Sequence, residues 1–197
     1  YAGVNWNSKI MICKILDDKN VGYYSWWAEA IYYAVDNGAS VINMSAGGTN
    51  ASNTLKNAVD YANSNNVSIV VSVGNQNAAI QYPANYSNAF AIGSTNSDDT
   101  RSVPFFWSAT SGSNYGAELD FVAPGHYIYG LSYTSNTNYN YYWGGSSQAA
   151  PLVTGLISLL LSVKPDLTIP EIRTILERSS EDQVGDAEDT SGWDPYY

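Results

Sequence analysis

Short apolar runs alternate along this chain with segments of helical period, and that alternation constrains the fold more than any other feature. Residues 10–16, 41–44, 68–73, 90–94 and 121–123 are β-branched or apolar runs, too short for helices and unbroken enough to be strands buried on both faces. Between the first two lies 25–37, with Trp27, Ile31, Ala34 and Val35 on one helical face, a Ser25 N-cap and an Asn37-Gly38 stop. Between the next two, a segment starting near Ser52 places Leu55, Ala58, Val59 and Ala62 at helical spacing. Strand, helix, strand, helix, strand is the pattern of a three-layer α/β fold with a mostly parallel sheet. Loops rich in Gly, Ser and Asn at 45–53, 74–88, 95–117 and 132–145 fall mostly at the carboxyl ends of strands, where open sheets place their sites.

Two more helices complete the pattern. The segment after Ser147 is apolar nearly all round (Leu152, Val153, Leu156, Ile157, Leu159, Leu160), which predicts a central buried helix. Pro151 stands early enough in it that the missing N–H costs little. Thr168-Ile169-Pro170-Glu171 reads as a capping box, with Ile172, Ile175 and Leu176 facing inward. No repeat or linker interrupts the 197 residues, so one domain is expected.

Charge narrows the partners. Eight basic against 18 acidic residues give a net charge of −10, which argues against nucleic acid and anionic membranes. The longest apolar run, 152–163, is too short to span a bilayer. Cys13 is the sole cysteine, so no internal disulfide forms, and it reads as a small buried hydrophobe. Seventeen tyrosines with many Ser and Asn give the polar, aromatic surface common in secreted enzymes, and an extracellular location is expected.

The chemistry concentrates at Gly144-Gly145-Ser146-Ser147-Gln148-Ala149-Ala150-Pro151, a glycine-rich turn feeding the apolar helix. A serine there can expose its hydroxyl for attack and aim its own N–H at an oxyanion. The stretch resembles the G-T-S-M-A-x-P segment around the nucleophile of subtilisin-like serine proteases (subtilases), with Ser146 for Thr and Gln148 for Met. Gln148 removes the thioether beside Ser147, so low peroxide sensitivity is expected there. Four more segments match the family in order. Residues 41–48 resemble the strand whose end lines the substrate cleft, where Ser45, Ala46 and Gly47 would pair with an extended peptide. Residues 71–77 resemble the segment supplying the oxyanion-hole asparagine, here Asn75 after Gly74. Tyr82-Pro83-Ala84 resembles the family's Y-P-A, and residues 120–125 its D-x-x-A-P-G strand end.

The resemblance implies a serine endopeptidase: Ser147 as nucleophile, Asn75 as oxyanion donor, and Ser45, Ala46, Gly47 and Gly74 lining the cleft. Tyr24 is either the cleft-rim aromatic of the family or, with Tyr23, merely a pre-helix aromatic pair. Peptide or protein is the implied substrate. No cofactor is required and no metal ligand is assigned. Asp17-Asp18 and the acidic run 181–189 could hold a structural Ca²⁺, although solvated acidic surface is the simpler account.

The family's other triad members, an Asp in a D-x-G context and a His in H-G-T-H, have no counterpart. The only histidine, His126, follows Ala-Pro-Gly and reads as a partly exposed loop residue. Residues 1–7 look like the segment that follows the family's histidine helix. The chain 1–197 is therefore expected to be a catalytic domain truncated at its N-terminus and slightly at its C-terminus, with Asp and His supplied by a missing N-terminal segment. Loss of the Asp-bearing strand is expected to open a groove between residues 10–16 and 41–44. The alternative is a non-catalytic module of the same fold that binds peptide or serves structure. An esterase-type hydrolase is disfavoured because no G-x-S-x-G elbow occurs.

Overall fold

The computed structural model describes residues 3–181, 192 and 194–196. Its elements run α1 (Tyr24–Asp36), β1 (Val41–Met44), α2 (Asn53–Ser64), β2 (Ser68–Ser72), β3 (Phe90–Thr95), β4 (Phe121–Pro124), β5 (Ile128–Gly130), β6 (Tyr141–Trp143), α3 (Ser146–Val163) and α4 (Ile169–Ser179). Strands β1 to β4 pair in sequence order, all parallel, with Val41 opposite Ser68, Val70 opposite Phe90 and Ile92 opposite Phe121.

Helices cover both faces of this sheet, which is why its central strands tolerate no polar face. Every residue of β2 and β3 is buried. Because side chains alternate across a strand, Ile69 and Val71 of β2, and Val73 just after it, pack with α1 and α2, while Val70 packs with α3 and α4. Arg173 of α4 staples the second layer: it bonds Asp120 and the Ala89 carbonyl and lies 4.1 Å over the Phe90 ring.

The helix ends follow the sequence in three cases out of four. Ser52 caps α2 by accepting from Leu55 N–H, and Thr168 and Glu171 form the capping box of α4. Asn37 ends α1, followed by Gly38 at φ +81. The expected Ser25 cap is wrong, for the N-cap is Tyr23, two residues earlier, with no side-chain cap.

Residues 10–16 depart most from expectation. They form no strand, and Ile10 and Ile12 are 81% and 82% exposed. An apolar run becomes a strand only where a neighbour completes its ladder, and here a groove of about 1210 Å³ separates it from β1. Ile10, Cys13, Ile31, Ile42, Thr154 and Leu161 are among its lining residues, so Cys13 is half-buried at a groove wall rather than enclosed. β1 is consequently an edge strand among the described residues.

Helix α3 also differs from its expectation. One side packs on the sheet through Ala149, Ala150, Val153 and Ile157, but Leu156, Leu159 and Val163 are exposed. At 18 residues it is long and apolar enough, by length and composition, to cross a bilayer, unlike the shorter run counted in the sequence. Its packing against the sheet marks it as a core helix with one open side. Residues 128–143, expected as loop from 132 onward, contain the antiparallel β5–β6 hairpin.

Candidate active site

The carboxyl ends of β1 and β2 meet the start of α3, and most of the expected site residues converge there. Gly145 precedes α3 at φ +123, a conformation that L side chains rarely adopt. A Cβ on it would also stand 3.1 Å from Asn75 Nδ2, so this glycine lets the helix mouth approach the asparagine.

Ser146 is fully buried and joins the two elements. Its N–H donates to Asn75 Oδ1 at 2.8 Å. Its hydroxyl lies 3.0 Å from that same oxygen and 3.1 Å from the Gly74 carbonyl, and accepts the Gly74 N–H at 3.1 Å. With Oδ1 so engaged, the amide orientation of Asn75 is set: Nδ2 turns away from Ser146 and takes no hydrogen-bond acceptor among the described residues. Ser147, half-buried at the first turn of α3, has a backbone N–H in the turn that lacks intrahelical acceptors.

The expected cleft strip lies alongside. The Ser45 hydroxyl donates to the Ser147 carbonyl at 3.0 Å, tying the end of β1 to the first turn of α3. Gly48 exchanges two backbone hydrogen bonds with Tyr82, at 2.9 and 2.8 Å. Tyr24 closes over Gly48, where an added Cβ would clash with its hydroxyl, and packs edge-on against Trp27. Ala46 is half-buried within this strip, and Gly47 is exposed.

Three residues to which the sequence reading gave no place in the site shape this region. Gln81 sits between the two glycine strips: a Cβ on Gly47 would meet its Oε1 at 2.7 Å, and one on Gly74 its Cδ at 3.0 Å. Gln148 turns its side-chain oxygen into the space over Gly145, buried and without a hydrogen bond. Ser146, read only as a family substitution, is the anchor of Asn75. A buried serine inside a glycine-rich turn gives no sequence signal separating it from loop residues.

His126 is engaged elsewhere. Its Nδ1 lies 2.7 Å from Asn96 Oδ1, and its Nε2 accepts the Phe106 N–H at 3.1 Å. Asn96 Nδ2 donates to Thr100 and the Arg101 carbonyl, so Asn96 Oδ1 is an acceptor and His126 carries its proton on Nδ1. Burial lowers its pKa below the ordinary 6.5 and so favours the neutral ring. Both ring nitrogens are thus occupied, and the ring stacks on Phe106 and Tyr127.

No group of three or more His, Cys, Asp or Glu able to hold a metal occurs among the described residues. The Asp17 carboxylate instead accepts the N–H groups of Lys19 and Val21, both at 2.9 Å, and its pKa is lowered chiefly by those bonds. Residues 182–189 of the acidic run lie outside the described residues.

A model of the subtilase family matches residues 1–193. Subtilisin DY of Bacillus licheniformis is 36% identical over 190 residues, covering 94% of this chain and 65% of its own length. Thermitase of Thermoactinomyces vulgaris is 38% identical over 162 residues, covering 82% of this chain and 54% of its own length. Among solved structures, a cold adapted subtilisin-like serine proteinase superposes with a TM-score of 0.75 at 31% identity, covering 90% of this chain and 63% of that one. The chain thus spans less than two thirds of the length of these relatives.

Proposed function

Since this chain belongs to the subtilase family, we propose that it is a serine endopeptidase acting through an acyl-enzyme on Ser147. The Ser147 Oγ attacks the scissile carbonyl carbon and its proton passes to a base. The resulting oxyanion takes hydrogen bonds from the Ser147 N–H and from Asn75 Nδ2. Collapse expels the amine, which leaves with the proton returned by the base, and water releases the acid by the same steps in reverse order. Ser45, Ala46, Gly47 and Gly74 hold the peptide as an added strand, and Tyr24 forms the rim.

One observation supports this reading above the others. Asn75 has its carbonyl oxygen consumed by Ser146, while its NH₂, beside the mouth of α3, meets no protein acceptor among the described residues.

The base is assigned to a segment beyond these residues, because the chain's only histidine has both nitrogens engaged. We place that segment's catalytic-Asp strand in the groove beside β1, whose open edge and apolar walls suit an added parallel strand. Extracellular action belongs to the same proposal and rests on the resemblance and the tyrosine-rich surface.

The committed His126 also favours a second reading, a non-catalytic peptide-binding module. Labelling with a fluorophosphonate separates the two: covalent adduct at Ser147 requires an activated hydroxyl. The protease should label and cleave casein, and Ser147→Ala should abolish both while moving the melting temperature by no more than about 2 °C, as expected for a change costing under about 0.5 kcal/mol. An unlabelled protein carrying the complete domain supports the binding module instead.

A further inference from the structure

Resting on the reading of Asn75 as an oxyanion donor, we propose that Asn114 is the positioning residue that fixes where this donor stands. Asn114 is 1% exposed and belongs to none of the matched segments. Its carboxamide fills the inside of the loop that carries Asn75. Nδ2 donates to the Val73 carbonyl at 3.1 Å and the Ala79 carbonyl at 2.9 Å, the two ends of the loop. Oδ1 accepts the N–H of Gln76 at 2.8 Å and of Ala78 at 3.2 Å, both within it. One buried side chain thereby ties together four backbone groups of a loop whose residues 76–79 are themselves exposed.

The link to Asn75 runs through Gln76. Asn114 Nδ2 also donates to Gln76 Oε1 at 3.2 Å, and that oxygen accepts the Asn75 N–H at 2.9 Å. The Asn114 N–H donates to the Gly74 carbonyl at 3.1 Å, and the neighbouring Gly112 N–H to the Asn75 carbonyl at 3.1 Å. Gly74, at φ +106, leaves no room for a side chain: an added Cβ would stand 2.5 Å from Asn114 Nδ2. Asn75 is therefore held at its N–H by Gln76 Oε1, which Asn114 Nδ2 orients, at its carbonyl by the Gly112 N–H and at Oδ1 by Ser146. Only Nδ2 is left to act.

Asn114→Asp tests this with little change of shape. The aspartate keeps one oxygen toward Gln76 and Ala78 but turns another toward three oxygen acceptors. Asn66→Asp is the matched control, because Asn66 similarly bridges the Leu167 carbonyl and the Ile169 N–H at the far side of the molecule. In the complete active protein, Asn114→Asp should lower kcat and the fluorophosphonate labelling rate by about tenfold to a hundredfold with KM within about twofold. Amide exchange at Gln76 and Ala78 should quicken, and the Asn75 Nδ2 resonances should shift. Asn66→Asp should lower the melting temperature and leave all four readouts alone. Labelling and turnover at the wild-type rate in Asn114→Asp overturn the proposal. A wild-type protein that never labels sinks the protease reading alone. The placement of Asn75 is then judged by the exchange rates and Nδ2 resonances, whose shift upholds the proposal and whose invariance overturns it.

Discussion

Ser146 reaches the side-chain oxygen of Asn75 twice, with its N–H at 2.8 Å and its hydroxyl at 3.0 Å. A helix start and a strand end are thus joined through one carbonyl, and the register between them is set by a serine that takes no part in bond making.

Removing that hydroxyl tests the joint. Ser146→Ala leaves the Gly74 N–H buried without its acceptor, which costs about 1–3 kcal/mol. Thermal unfolding should show the loss, and turnover should fall by less than the roughly 10²–10³ expected for Asn75→Ala. A larger kinetic effect from Ser146→Ala than from Asn75→Ala contradicts the anchoring role.

Gln81 lies between the Gly47 and Gly74 strips and so limits the space available to a substrate side chain in the proposed cleft. Gln81→Ala should raise kcat/KM for peptides with large aromatic side chains relative to small ones by about tenfold. A panel of peptide p-nitroanilides reads this out, and an unchanged ranking places the side chain outside the cleft.

His126 gives the fold a pH dependence of definite sign. Burial lowers its pKa below 6.5, so below that value the unfolded chain binds more protons than the folded one. The stability that the neutral ring confers is complete above about pH 6.5 and is lost as the pH falls toward the folded-state pKa. Protonation also abolishes the bond from the Phe106 N–H. Melting temperatures from pH 7.5 to 4.5 should fall more steeply for the wild type than for His126→Gln. An NMR titration of the ring placing its pKa above 6.5 reverses the sign.

Arg173 bonds both Asp120 and the Ala89 carbonyl, and Asp120 accepts the Ala91 N–H at 2.8 Å. The ion pair is about one quarter exposed, which discounts its charge energy. Arg173→Met keeps the contact over Phe90 and loses the bonds, so a cost of about 1–3 kcal/mol is expected in urea unfolding. Asp120→Asn should cost less, because it retains an acceptor for the Ala91 N–H.

Strands β1 to β4 were legible in the sequence because each carries a short β-branched or apolar run, as in Ile69–Val71 of the fully buried β2. The run 10–16 carries the same signal and fails to become a strand, since composition reports a taste for burial but not the presence of a neighbour. The β5–β6 hairpin was illegible for the opposite reason. Its residues Ile128, Tyr129 and Gly130 face Trp143, Tyr142 and Tyr141 across a connection mostly of Ser, Thr and Asn that resembles any exposed loop. At the site, the family-like segments point to Ser147, Asn75 and Ser45, which the fold brings to one place. Asn114 and Ser146 stayed hidden because a buried amide or hydroxyl in a polar loop is distinguished only by its partners.

The bare flank of β1 has a practical consequence. A row of unused peptide groups above apolar walls is a template for another molecule's backbone, and the net charge of −10 is the main force keeping copies apart at neutral pH. Preparations of residues 1–197 should therefore scatter light increasingly as salt is raised or as acid neutralises the carboxylates. A peptide able to lie along that flank should act as a solubiliser.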